Sequence, residues 1–231
     1  MKNFHLMAGL LLCLTLLFAA CSPNSDTPVA SPVLAPLPPP TPDGGPFGVD
    51  VNINMNTIDG FLGRSDVAYF DMRMFYDPAD YEAIGGDSSL SRTLPGYRIV
   101  PFPYLATLSA LPVSGAYTGN TLFSVVWGEK RGEVLSIKPN YVESELILSE
   151  IFPKDKAIFI MCGGAGYTSL ARGLLSHMGW DPARIYHTGG NWHYTGNRAL
   201  DLTISGDPTR IATWRANYAF IDFDNLHRIT P

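Results

Sequence analysis

Apolar and polar positions alternate along the chain in a way that predicts strands and helices in turn. Val67-Ala68-Tyr69-Phe70, closing on Asp71, is a short apolar run with the look of a buried strand. Ile99 to Phe102 predicts a second strand, closed by Pro103. Leu122 to Trp127 and Val134 to Ile137 flank Gly128-Glu129-Lys130-Arg131-Gly132, the pattern of a hairpin. Glu143 to Phe152, with Leu146, Ile147 and Ile151 on one side, predicts a helix. Ala157-Ile158-Phe159-Ile160-Met161 is continuously apolar, as in a strand covered on both faces. Leu170, Leu174, Leu175 and Met178 then recur at helical spacing over Thr168 to Met178, before Gly179 and Pro182 stop the helix. Arg184-Ile185-Tyr186-His187 is one more short strand. Strands alternating with helices predict an α/β domain with a mainly parallel central sheet flanked by helices. The hairpin is an insertion in that pattern, and the residues after 197 are a C-terminal extension.

The ends of the chain follow different rules. Residues 1–21 hold Lys2, an apolar run from Leu6 to Ala20, and small residues before Cys21, which is the pattern of a cleaved secretory signal. Leu17-Phe18-Ala19-Ala20-Cys21 resembles a bacterial lipobox. That resemblance implies a lipid anchor on Cys21, stable because several acyl chains act together. With Ser22 rather than Asp next in line, it also implies the outer membrane, facing the periplasm. Residues 22–48 carry nine of the nineteen prolines and few large apolar side chains, which predicts a disordered tether. The folded part is then expected over residues 49–231.

The chain has 231 residues with a net charge of −5, which argues against a nucleic-acid partner. Three cysteines exclude a disulfide framework, and five scattered histidines without ligand spacing leave no expected metal site. No cofactor is implied.

The chemistry concentrates at Cys162-Gly163-Gly164-Ala165-Gly166-Tyr167-Thr168. A strand ends at Cys162, and ligands of open α/β sheets bind beyond such carboxyl ends. Small residues leave main-chain N–H groups free to turn inward beside a helix start, which makes an anion cradle. A thiol held there ionises more easily than a free one, so a lowered pKa is expected. Thr168 suits the N-cap position. An inert buried thiol beside a glycine turn is the alternative.

Cys162 to Thr168 has the length of the active-site loop of rhodanese-like domains, which this region resembles. Val67 to Arg73, with Asp71-Met72-Arg73, is similar to that family's first strand. Leu94-Pro95-Gly96-Tyr97-Arg98-Ile99 and Arg184 to Tyr194, with Gly189-Gly190, are similar to later segments, in the right order from about 55 to 196. The resemblance implies a sulfurtransferase. The Cys162 thiolate takes a sulfane sulfur from a small donor as a persulfide, loop amides hold its charge, and an external thiol or other nucleophile collects it. The loop carries no charge, and Tyr167 stands where the family often has Arg. That disfavours a dianionic donor such as thiosulfate relative to a persulfide or polysulfide.

Asp71 and Arg73 read as a structural pair at the strand ends. His187, Trp192 and His193, around the Gly189-Gly190 turn, read as packing and capping groups, and Arg172 as solvated or leaning toward a bound anion. Tyr167 either donates to a substrate or walls the site. The competing function is a catalytically inactive rhodanese-like module that binds or senses a reactive sulfur ligand. A cysteine phosphatase is disfavoured, because Thr168 stands where that chemistry needs Arg.

Overall fold

The computed structural model describes residues 34–73, 92–108, 119–201, 217–218 and 221–230. In chain order the elements are β1 (Val67–Asp71), β2 (Arg92–Thr93), β3 (Tyr97–Ile99), α1 (Phe102–Leu105), β4 (Phe123–Trp127), β5 (Val134–Pro139), α2 (Ser144–Ile151), β6 (Ala157–Cys162), α3 (Gly166–His177), β7 (Ile185–Gly190), β8 (Leu200–Asp201) and β9 (Asn217–Tyr218). The central sheet runs β7-β6-β1-β3-β9, and every neighbouring pair in it is parallel. The fold is therefore α/β with a parallel central sheet. β4 and β5 form the antiparallel hairpin, and β2 pairs with β8.

Alternate residues of β6 feed two cores, as the two-residue period of a strand requires. Ile158, Ile160 and Cys162 join Phe70, Phe102, Phe152, Leu170 and Leu174 on one face. Ala157, Phe159 and Met161 join Ile53, Met55, Ile58, Tyr69 and Tyr97 on the other. Cys162 thus points to the side covered by α3. Parallel register places Asp71 opposite Met161, and Met161 opposite Gly189, so the carboxyl ends of three strands lie side by side.

Three expectations about these elements are corrected. Phe102 opens a short helix instead of ending a strand, because Pro103 sits in the first turn, where a missing N–H costs nothing. On α2 the buried stripe is Ser144, Leu148 and Ile151, while Leu146 is exposed. Ser144 belongs inside because its hydroxyl donates to Leu122 O at 2.7 Å and accepts from Tyr141 N–H at 3.1 Å. α3 begins at Gly166, two residues before Thr168.

The folded part also starts before residue 49, since residues 36–48 belong to the same unit as the sheet. Within 36–48, Tyr186 donates to Pro38 O at 2.8 Å, Leu37 packs on the second core, and Pro42 bridges Asp50. Asp50 is buried and organises this segment. Its carboxylate accepts from Thr41, Asn52 and Ile53 N–H, and its own N–H donates to His187 O. Fixed φ angles at the prolines reduce the entropy lost when such a strap docks. Cys21, the 1–21 leader, positions 22–33 and positions 202–216 of the extension lie outside the described residues. No helix among the described residues is long and apolar enough to cross a membrane.

Candidate functional site

The loop from Cys162 to Thr168 is shaped by a bulge in β7. His187 pairs with Ile160, but Gly189 pairs with Met161, so Thr188 is the extra residue. Its hydroxyl donates to Ile160 O at 2.9 Å. The bulge sets Gly190 beside Cys162, where the loop backbone crosses closely. A Cβ at position 190 would lie 2.2 Å from Gly163 O and 2.9 Å from Ala165 N, so only glycine fits. Trp192 N–H donates to Gly163 O at 3.2 Å, and the Trp192 ring covers Gly163 and Gly164.

Ala165 is the cap residue of α3, in the left-handed region at φ 72°. Thr168, expected as N-cap, is instead the third residue of the helix and fully buried. The turn is tightened by Ala165, whose carbonyl then becomes an anchor: Ser169 N–H donates to it, and His187 Nε2 lies 3.1 Å away. Gly189 N–H donates to His187 Nδ1, so the proton of the neutral ring sits on Nε2 and points at Ala165 O. Burial lowers the His187 pKa to about 4. His187 is therefore a neutral brace for the loop, in line with its expected capping role. Ser169 Oγ, 3.1 Å from His187 Nε2, donates to Phe47 O.

Cys162 is 2 % exposed and packs with Met72, Phe102 and Tyr167 in the larger core. Burial pushes its thiol pKa up, and the Asp71 carboxylate adds to the rise. The Thr168 hydroxyl and the Thr168 and Tyr167 amides act in the opposite direction and favour the thiolate. The expected lowering is thus overturned by desolvation. Burial in dry surroundings outweighs these groups and disfavours the thiolate. In the resting state the Thr168 hydroxyl makes no well-formed hydrogen bond.

The Asp71–Arg73 pair forms as expected. Arg73 Nη2 lies 2.5 Å from Asp71 Oδ2, both side chains are buried, and Arg73 also donates to Arg92 O. Thr93 Oγ1 donates to Asp71 Oδ2 at 2.9 Å. The ion pair ties the end of β1 to β2. Tyr167 stacks on Phe102 with centroids 5.9 Å apart and walls the core.

Gly164, Ala165 and Gly190 form one wall of a cleft of about 440 Å³, completed by Asp50, Met55 and His193. Cys162 does not line it. Asp50 and Arg131 are site residues that sequence reasoning missed. Asp50 carried a signal in the run Asp50-Val51-Asn52-Ile53-Asn54, which is turn chemistry closing on an apolar residue. Arg131 carried none, because its approach to Gly166 depends on how the hairpin docks. Among the described residues no group of three or more His, Cys, Asp or Glu is arranged to hold a metal ion. Protein-family models, curated proteins and solved structures return no match to this chain.

Proposed function

We propose that the protein is a rhodanese-like sulfurtransferase that carries a sulfane sulfur on Cys162 as a persulfide. The observation that carries this reading is the position of the thiol. It lies at the carboxyl end of a central parallel strand, with the Tyr167 and Thr168 amides and the Thr168 hydroxyl favouring its anion. In the first step the Cys162 thiolate attacks the outer sulfur of a persulfide donor. A new S–S bond forms as the donor's S–S bond breaks, and the donor leaves as a thiolate. In the second step an external thiolate attacks the outer sulfur and Cys162 returns as thiolate, with no net oxidation. A persulfide is more acidic than a thiol, so the amide cradle serves the loaded state better than the resting one. The loop's own side chains carry no charge, and the guanidinium of Arg131 approaches the loop at Gly166 from the hairpin turn. Lipid anchoring through Cys21 would hold this activity at a membrane.

A second reading rests on the burial of Cys162: a module that holds a sulfur ligand without turning it over. One experiment separates the two. The full chain is incubated with polysulfide and its intact mass is read before and after cyanide. Sulfurtransferase activity predicts one added sulfur atom on Cys162, removed by cyanide and absent in Cys162→Ser. Its alkylation midpoint before loading lies above the ~8.5 of a free thiol. An adduct that neither cyanide nor thiols can collect favours the holding module. No adduct from any sulfur donor, in a chain whose thiol alkylates after unfolding, refutes both.

A further inference from the structure

A second cleft, of about 350 Å³, lies on the outer side of α3, and Cys162 does not line it. Three segments meet there: Phe47 of the proline-rich strap, the turn of the β4–β5 hairpin, and α3. The hairpin turn is pressed against α3 at two glycines. A Cβ on Gly173 would lie 1.8 Å from Gly132 O, and one on Gly132 would lie 2.5 Å from Ser169 O. This contact delivers Arg131 to the start of the helix, where its Nη1 is 3.3 Å from the position a Gly166 Cβ would take. Its guanidinium stacks on the Phe47 ring, 5.0 Å from the centroid. Arg172 approaches the same strap from the helix, its Nη1 3.9 Å from the position of a Gly48 Cβ.

Two guanidiniums therefore converge on Phe47 and Gly48, and both line the cleft. No carboxylate lines it, and neither arginine has an ion-pair partner among the described residues. Asp43, on the same strap, accepts from Gly45 N–H and lines the other cleft. A cation at a helix start opposes the helix dipole, and a second cation adds to the repulsion. Arg131 is exposed and Arg172 half-buried, so both heads are open to an anion that enters the cleft and offsets this repulsion. Guanidinium forks are matched to tetrahedral oxyanions, and the Ser176 hydroxyl supplies a further polar group on the lining.

We infer that Arg131 and Arg172 form a binding site for a small tetrahedral oxyanion, of phosphate type, that pins the strap and the hairpin turn onto α3. Binding does not involve the Cys162 sulfur, so the site stands whether or not sulfur transfer does. The test is a titration of the full chain with inorganic phosphate, followed by calorimetry and thermal unfolding, with chloride at matched ionic strength as control. Phosphate is expected to bind saturably and to raise the melting temperature above the chloride control. Arg131→Gln and Arg172→Gln should each weaken binding by about tenfold or more, as loss of a charge-assisted contact requires. Cys162→Ser should bind as the parent does. Equal stabilisation by chloride, or unchanged affinity in both Gln variants, overturns the site. Loss of binding in Cys162→Ser with retention in the Gln variants also overturns it, by moving the anion to the cradle.

Discussion

Gly190→Ala tests the central structural claim, that the loop around Cys162 is held in shape by backbone crossing backbone. The added methyl would sit 2.2 Å from Gly163 O, against about 3.3 Å for an ordinary carbon–oxygen contact. The carbonyl must retreat by roughly 1 Å, and it is tethered by Trp192 N–H at 3.2 Å. Overpacking of this kind costs about 1–3 kcal/mol, and loss of the tether adds about 1 kcal/mol. The expected destabilisation is about 2–4 kcal/mol, or roughly 5–15 °C in melting temperature for a domain of this size. The same displacement opens the larger core beside Cys162, so its alkylation by iodoacetamide, followed by peptide mass, should accelerate. Gly164→Ala is the matched control. The atoms nearest its methyl belong to the Trp192 ring, the first at 2.7 Å, and that side chain is half exposed, so it can give way where backbone cannot. Its cost should stay within about 0.5–1 kcal/mol. A Gly190→Ala protein with parental stability and alkylation rate would refute the reasoning, as would equal damage from the two substitutions.

Two further outcomes follow from the loop. Ala165→Gly should stabilise the protein by up to about 1 kcal/mol, because the left-handed cap at φ 72° strains a Cβ by slightly more than glycine loses in chain entropy; a drop in denaturant midpoint would contradict this. His187 should make stability depend on pH between its ordinary 6.5 and about 4. The unfolded chain takes up the proton first, so stability is fully present above about pH 6.5 and falls as pH drops, by about 3 kcal/mol at pH 4. Denaturant melts of parent and His187→Gln across that range should differ in slope, and parallel curves would exclude His187 as the cause.

The linear pattern carried a large part of this protein. Continuous apolar character at Ala157 to Met161 was enough for a buried parallel strand, since a strand covered on both faces has no polar position to spare. The alternation of such runs with helical spacing was enough for the α/β class, and the sequence Asp71-Met72-Arg73 was enough for the buried pair, because charges two apart at a strand end can meet without help from elsewhere. The glycine-rich stretch after Cys162 marked the loop. It did not mark the residue that turns it: the left-handed position belongs to Ala165, whose carbonyl is held by a tertiary contact from His187. Thr168 was misplaced for the same reason, since the helix starts where the carbonyl of Ala165 is anchored and not where the best capping side chain stands.

Local composition determined the strands, the loop and the place of the thiol at the strand end, because those depend on neighbours within a few residues. The tertiary structure alone decided the direction in which the Cys162 pKa moves, the docking of residues 36–48, and the placing of Arg131 and Arg172 on one cleft. Each depends on desolvation or on contacts between segments far apart in the chain. Proline content read as disorder at 36–48 because the surface that receives this strap, around Asp50, Tyr186 and His187, is assembled only on folding. Small residues around a thiol read as a thiolate site because spacing reports donors, while the burial that opposes them is a property of the packed core.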